Sequence, residues 1–223
     1  MKQNKTTHEK KLVLGIDEAG RGCVIGPMII AAVLGDERKF KLLGVRDSKE
    51  LTPERRESLA AKIKRSAKEI HVIEISAKTI DEMRKIMSLN ELEAMKMAEL
   101  IELFSEKSEK IVIDCPDTVP KNFLKRLKKY IAINVKIVAE HYADKKHPSV
   151  SAASIIAKTE RDKRVAEIEK EFKIKVGTGY PHDPATIKFL QSCKEYPDFV
   201  RKSWDTSKRI SESKGQKKIF EFS

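Results

Sequence analysis

Cysteine is scarce: three in 223 residues, at Cys23, Cys115 and Cys193, far apart and with no CxxC pair. That spacing argues against a disulfide framework and a zinc knuckle and fits a reducing compartment. No apolar run approaches the roughly 20 residues needed to cross a bilayer. The opening stretch MKQNKTTHEKK lacks the apolar core of a signal peptide and reads as a disordered leader over residues 1–11. These absences lead us to expect a soluble, cytoplasmic protein. Glycine and proline are also few, nine and eight, so where they cluster they punctuate the chain.

Charge is abundant. Charged residues make up 36% of the chain, and 46 Lys+Arg against 34 Asp+Glu give a formal net charge of +12. A field of that sign attracts polyanions, nucleic acid foremost. The 40% hydrophobic content suffices for one well-packed domain.

Residues 12–16 and 28–34 (MIIAAVL) read as strands, the second apolar on both faces as in a strand buried between layers. Gly20, Gly22, Gly26 and Pro27 punctuate the turn between them. TPERRESLAAKIKRSAKE is a helix capped by Thr52, with Leu59, Ala60, Ile63 and Ala67 on one face. A strand follows at 70–76. SLNE at Ser88 has capping-box spacing and opens a helix with Ala94, Met97, Ala98, Ile101 and Phe104 on one stripe. KIVIDCP is a short strand, 120–130 a helix, 135–139 a strand, and a long helix runs from Ser149 or Ser151 to Phe172. The loop GTGYPHDP leads to a further helix capped by Asp183. The pattern implies an α/β domain with a mixed sheet and a helical C-terminal part.

Acids sit where apolar strands stop: Asp17 and Glu18 after LVLGI, Asp114 after KIVI, and Asp144 just beyond NVKIVAEHYA. Functional groups collect at the carboxyl ends of strands in open α/β sheets. Carboxylates gathered there repel one another unless protonated or neutralised. Magnesium or manganese, hard cations that prefer carboxylate and water oxygens, would resolve the conflict. Because alternate residues of a strand face opposite ways, Asp17 and Glu18 are expected to share a site only if the strand ends between or just after them, with Gly20 and Gly22 permitting the exit. Asp117, Glu140 and Asp162 look similar and are read as decoys.

GIDEAGRGCVIGPMIIAAV, RDSKELTPERR, VIDCP, AEHYADKKHPSVSAASIIAKTERD and GTGYPHDP, in this order over most of the chain, resemble ribonuclease HII, the type 2 ribonuclease H family, in its archaeal style. The resemblance implies an RNase H-like fold, a five-stranded mixed sheet flanked by helices with a C-terminal helical extension. On that reading residues 12–180 are the catalytic domain, 181–210 the extension and 211–223 a flexible tail. It implies two-metal hydrolysis, with Mn2+ or Mg2+, of the RNA strand of RNA–DNA hybrids. It further implies cutting 5′ of ribonucleotides embedded in duplex DNA, leaving 5′-phosphate and 3′-hydroxyl ends.

The family carboxylates map onto Asp17, Glu18, Asp114 and Asp144, as both catalytic and metal residues. The glycine–arginine–glycine turn maps onto Gly20, Arg21 and Gly22, whose backbone would meet the ribose 2′-hydroxyl, and the junction-reading tyrosine onto Tyr180. Arg46, Ser48, Lys49, Ser151, Ser154 and Lys158 are expected at backbone phosphates. Cys23 and His182 depart from the family pattern. Another RNase H-fold nuclease acting on DNA, or a non-catalytic basic nucleic-acid-binding protein, are the alternatives. From Arg201 the chain loses periodicity, carrying seven basic and three acidic residues. Its end, GQKKIFEFS, places Gln216, Ile219 and Phe222 at the Q-x-x-I-x-x-F spacing of peptides that dock on sliding clamps. A monomer is expected.

Overall fold

In the computed structural model, residues 12–45, 51–132 and 135–220 are described, with side chains through residue 214. The elements run β1 (Val13–Ala19), β2 (Met28–Gly35), α1 (Glu37–Leu42), α2 (Pro53–Ser66), β3 (Glu69–Ile75), α3 (Ala77–Met83), α4 (Leu89–Phe104), β4 (Lys110–Asp114), α5 (Pro120–Leu127), β5 (Ile137–Glu140), α6 (Ala143–Lys146), α7 (Pro148–Phe172), α8 (Pro184–Ser192) and α9 (Asp205–Phe220). The strands form one sheet in the order β3-β2-β1-β4-β5. β1 pairs antiparallel with β2 and parallel with β4, and β4 pairs parallel with β5.

Strand alternation sorts the core into two layers. Leu14 and Ile16 of β1, with Met28, Ile30, Ala32 and Leu34 of β2, face Met97, Ile101, Phe104 and Phe123 of α4 and α5. Ile29, Ala31 and Val33 turn the other way, onto Ile63 of α2 and Ala152, Ala153 and Ile156 of α7. All eight residues of β2 are therefore buried, as its unbroken apolar run requires. Each large side chain so enclosed contributes roughly 1.5–3 kcal/mol.

Helix starts follow local chemistry. The hydroxyls of Thr52, Ser76 and Ser88 accept from the backbone N–H three residues on, each cap worth about 1 kcal/mol. α7 lies unusually close to the sheet. A Cβ on Gly15 would sit 2.2 Å from the Ser149 carbonyl carbon and 2.4 Å from the Val150 nitrogen, so β1 has a glycine where the first turn of α7 touches it.

A third apolar cluster joins Val24 and Ile25 after β1 to Val165 and Val176 and to Leu190, Val200 and Ile210 of the C-terminal part. The helical extension is thus packed on the turn that follows the acids. One expectation is corrected here: the helical extension does not give way to a flexible tail at residue 211 but continues, as a helix from Asp205 to Phe220, with Ile210 turned inward. Its apolar residues are too sparse for a clear helical stripe, so the lack of periodicity beyond Arg201 is real and hid the length of this helix. The short helices α1, α3 and α6 were likewise not anticipated. The leader, residues 1–11, lies outside the described residues.

Candidate active site

The acids of β1 are exposed to each other by the length of a neighbour. β1 pairs with β4 only as far as Ile16 opposite Ile113, yet stays paired with β2 through Ala19. Asp17, level with Asp114, and Glu18 therefore lie where β1 runs on beyond its pairing with β4. β1 ends at Ala19, just after them, which is one of the two arrangements the sequence led us to expect. Alternation sends Asp17 to the α7 face and Glu18 to the α4 face, and Asp114, at the end of β4, lies within electrostatic reach of both.

Asp17 is buried. It accepts the Ser154 hydroxyl and, at 2.7 Å, its neighbour's Glu18 N–H. Burial, and next the charge of Asp114, push its carboxyl from 3.8 to about 7, while Ser154 and Lys158 act in the opposite sense. Glu18 is driven well above the usual carboxylate range by burial, then by Asp17, Glu93 and Asp114. Asp114 Oδ1 accepts the Ala143 N–H at 2.8 Å. Tyr142, in the left-handed region at φ 57°, turns the chain so that this N–H meets Asp114 and the next residue, Asp144, goes inward. Asp144 Oδ1 is buried without a hydrogen-bond partner among the described residues. It lines a cavity of 260 Å³ with Lys41, His147 and Ser151, and the Ser151 hydroxyl there is also unpartnered.

The structure therefore brings Asp17, Glu18 and Asp114 into mutual contact electrostatically. Asp144 follows Ala143, whose N–H meets Asp114, and lines the cavity beside Ser151. Among the described residues, no three Asp, Glu, His or Cys side chains are spaced to hold one ion between them as placed. The donor set nonetheless fits a hard divalent cation. It consists of carboxylate oxygens, two of them, on Glu18 (Oε2) and Asp144 (Oδ1), buried and unsatisfied. Magnesium also keeps most of its waters and needs only one or two carboxylates.

The turn after β1 is held from two sides. The Arg21 guanidinium reaches α4, its Nε 2.9 Å from Glu93 Oε1 and its Nη2 donating to Asn90 Oδ1 at 2.5 Å. From beneath, fully buried Arg201 donates to the carbonyls of Gly20 (2.7 Å), Arg21 (2.9 Å) and Gly26 (3.2 Å). Gly20 takes φ +84°, but Gly22 is different: a Cβ there would meet nothing within 4 Å. No packing among the described residues requires that glycine.

The GTGY loop is stitched to the same turn. Gly179 O accepts from Val24 N (2.8 Å) and Ile25 N (3.2 Å), and Arg161 Nη2 donates to Thr178 O at 2.5 Å. Tyr180 shares a hydrogen bond with the buried thiol of Cys23, and burial, then Cys23, push its hydroxyl to about 12. Its ring lies 5.3 Å from the Arg161 guanidinium carbon and 5.5 Å from the His182 ring. This loop forms one wall of a 620 Å³ groove lined also by Ala19, Arg56, Lys158 and Arg161, so the groove opens next to the acids.

Arg46, Ser48, Lys49 and Phe222 lie outside the described residues, and Gln216 and Ile219 belong to the part of α9 without described side chains. Of the acids read as decoys, Asp117 pairs with Arg126, Glu140 with Lys146 and His147, and Asp162 with Arg56. Sequence reasoning missed Asn90, Glu93, Arg161 and Arg201. Glu93 carried a signal, a carboxylate beside the apolar stripe of α4 with Met97 rather than a lysine at i+4. Arg201 had none, being one cation among many.

The sheet order and the acids at the ends of its parallel pair define a ribonuclease H-like fold. The crystal structure of the ribonuclease H2 from Pyrococcus horikoshii matches with a TM-score of 0.82 at 38% identity, covering 91% of this chain and 98% of that one. RNase HII of Archaeoglobus fulgidus, solved as a complex with PCNA, matches at 0.81 and 38%, covering 89% and 96%. The Ribonuclease HII family model matches residues 14–207. Ribonuclease HII of Methanobrevibacter smithii is 46% identical over 210 residues, which are 90% of this chain and 99% of that protein. The chain belongs to the ribonuclease HII family and is a type 2 ribonuclease H. Among the described residues no helix is long and apolar enough to cross a membrane.

Proposed function

We propose that this enzyme hydrolyses the RNA strand of RNA–DNA hybrids and cuts duplex DNA on the 5′ side of an embedded ribonucleotide, leaving 5′-phosphate and 3′-hydroxyl ends. The observation that carries this reading is the juxtaposition of the Asp17–Glu18–Asp114 cluster with a turn whose Gly22 leaves open space. A 2′-hydroxyl is the group that separates RNA from DNA at a given sugar, and a backbone without a Cβ is what can approach it closely.

Asp17, Glu18, Asp114 and Asp144 would hold two ions, magnesium or manganese. When bound, these would activate the attacking water and steady the leaving oxygen. Ser154 fixes the orientation of Asp17, and the Ala143 N–H fixes Asp114. Lys158 places a positive charge near Asp17 and lines the groove, where it would meet a phosphate. Tyr180, held by Cys23 and backed by Arg161, offers an aromatic face for the sugar at the RNA–DNA junction. Ser151, Arg46, Ser48 and Lys49 would grip further phosphates.

The test is a labelled DNA duplex containing one ribonucleotide, incubated with magnesium or manganese. Cutting 5′ of that ribonucleotide, abolished by chelation and by Asp114→Asn, is expected. Cutting of all-DNA duplex, or no cutting with either metal, would refute the reading. The C-terminal Gln216, Ile219 and Phe222 are further proposed to dock on a sliding clamp, a reading supported by the A. fulgidus relative solved with PCNA. Deleting residues 216–223 should abolish binding in a titration against the clamp, and unchanged affinity would remove the proposal.

A further inference from the structure

We infer that Glu93 is a positioning residue for ribose recognition, anchoring Arg21 so that the Gly20–Gly22 backbone stays presented to the substrate. The inference rests on the functional reading above and assigns a part to a residue outside its acid set.

Glu93 is fully buried on α4, among side chains that pack against the sheet. A carboxylate in such surroundings is expensive unless paired, and an apolar pair of similar volume would often serve stability as well or better. Its partner explains its presence. Arg21 is the middle residue of the turn, and its guanidinium reaches both Glu93 and Asn90. Asn90 in turn bonds Asp117, which pairs with Arg126 at 3.5 Å. The turn is thereby fastened to α4 through a chain of polar contacts.

Two consequences follow for the turn. The guanidinium of Arg21 points into the protein, so what the turn offers outward is its backbone. That backbone also has two tethers, Arg21 drawn toward α4 and Arg201 gripping three carbonyls from beneath, and the Glu93 charge is within electrostatic reach of both cations. Loss of Glu93 removes the anchor of Arg21, while the three hydrogen bonds of Arg201 to those carbonyls do not involve Glu93. The turn still forms, but its middle is free to shift. A shift of that kind affects the fit of a 2′-hydroxyl more than the attraction of Lys158 and the groove for phosphates, which is indifferent to the sugar.

The experiment uses the full chain as wild type, Glu93→Ala, Glu93→Gln and Arg21→Ala. Steady-state cleavage is followed on the single-ribonucleotide duplex. Binding to that duplex and to its all-DNA counterpart is followed by anisotropy in an Asp114→Asn background. Glu93→Ala is expected to raise KM about tenfold, equivalent to roughly 1.4 kcal/mol, with kcat within twofold. Affinity should fall about tenfold for the ribonucleotide duplex and hold steady for all-DNA duplex. Glu93→Gln, which keeps an acceptor for Arg21, should restore most of the loss. Arg21→Ala, at a partly exposed side chain, should reproduce the Ala pattern and carries the test if Glu93→Ala fails to fold. Equal weakening for both duplexes, a fall in kcat at constant KM, or a Gln variant no better than Ala would overturn the inference. A wild type with no ribonucleotide preference in cutting or binding would overturn the functional reading itself. A wild type with that preference, unchanged in the variants, overturns only the role of Glu93.

Discussion

Consider Asp17→Asn in the metal-free protein. In the unfolded chain Asp17 ionises near 3.8, whereas in the fold its carboxyl holds a proton to about pH 7. Between those values the unfolded chain has released a proton that the fold retains, so stability falls as pH rises and levels off above 7. The interval of some three pH units, at about 1.4 kcal/mol each, sets an upper bound of roughly 4 kcal/mol. Because Asp17 shares its burden with Glu18 and Asp114, about 2 kcal/mol is a sounder working figure. Asparagine keeps an oxygen for Ser154 and for the Glu18 N–H while shedding the charge. With chelator present, the variant should be the more stable protein by about 2 kcal/mol at pH 8, and the advantage should vanish near pH 4. Urea unfolding at pH 4, 6 and 8 measures it. Magnesium should then raise the midpoint of the wild type by mass action and leave the variant nearly unmoved. A variant less stable than wild type at pH 8, or a difference independent of pH, would refute the argument that these acids are held against their own electrostatic preference.

Gly15→Ala drives a methyl into the backbone of Ser149 and Val150. It should destabilise by about 3 kcal/mol, a fall in melting temperature on the order of 10 °C readable by circular dichroism. Gly22→Ala should behave oppositely: with nothing within 4 Å, its stability should stay within about 0.5 kcal/mol of wild type. Its cleavage at a single ribonucleotide should fall at least about tenfold, or about 1.4 kcal/mol. Wild-type activity in Gly22→Ala would show that the open space is not used.

Much of this molecule was legible before its structure. Short apolar runs bounded by turn residues, one alternating segment and period-3.6 patterning located the five strands of the sheet and the main helices that cover it, because those elements bury continuous apolar faces. The acids were found by the same logic, since a carboxylate ending an apolar run is conspicuous. What could not be read was which neighbour stops first. β1 ends just after the acids, as expected, but its pairing with β4 ends sooner, at Ile16. That lets Asp17 and Glu18 share a cluster across two faces of one strand, and register is a property of pairs of strands. Arg201 was hidden for a related reason. Its role depends on three carbonyls some 175 residues or more away in sequence, and a cation gives no sign of whether it meets solvent or backbone. The burial of Asp144 was equally beyond reach, since it follows the left-handed turn at Tyr142.

The long helix α7 has a meaning beyond packing. Its first turn rests on Gly15, Ser154 and Lys158 stand beside Asp17, Arg161 lies against Tyr180, and Glu169 accepts the N–H groups of Val176 and Gly177 at 2.8 and 3.2 Å. One rigid rod thus carries supports for both the acid cluster and the Tyr180 loop. From Ser154 to Arg161 is seven residues, about 10 Å at the rise of an α-helix. Under the proposed function, the offset between the severed bond and the recognised sugar would be metered by helical pitch, a gauge that loops alone would not keep constant.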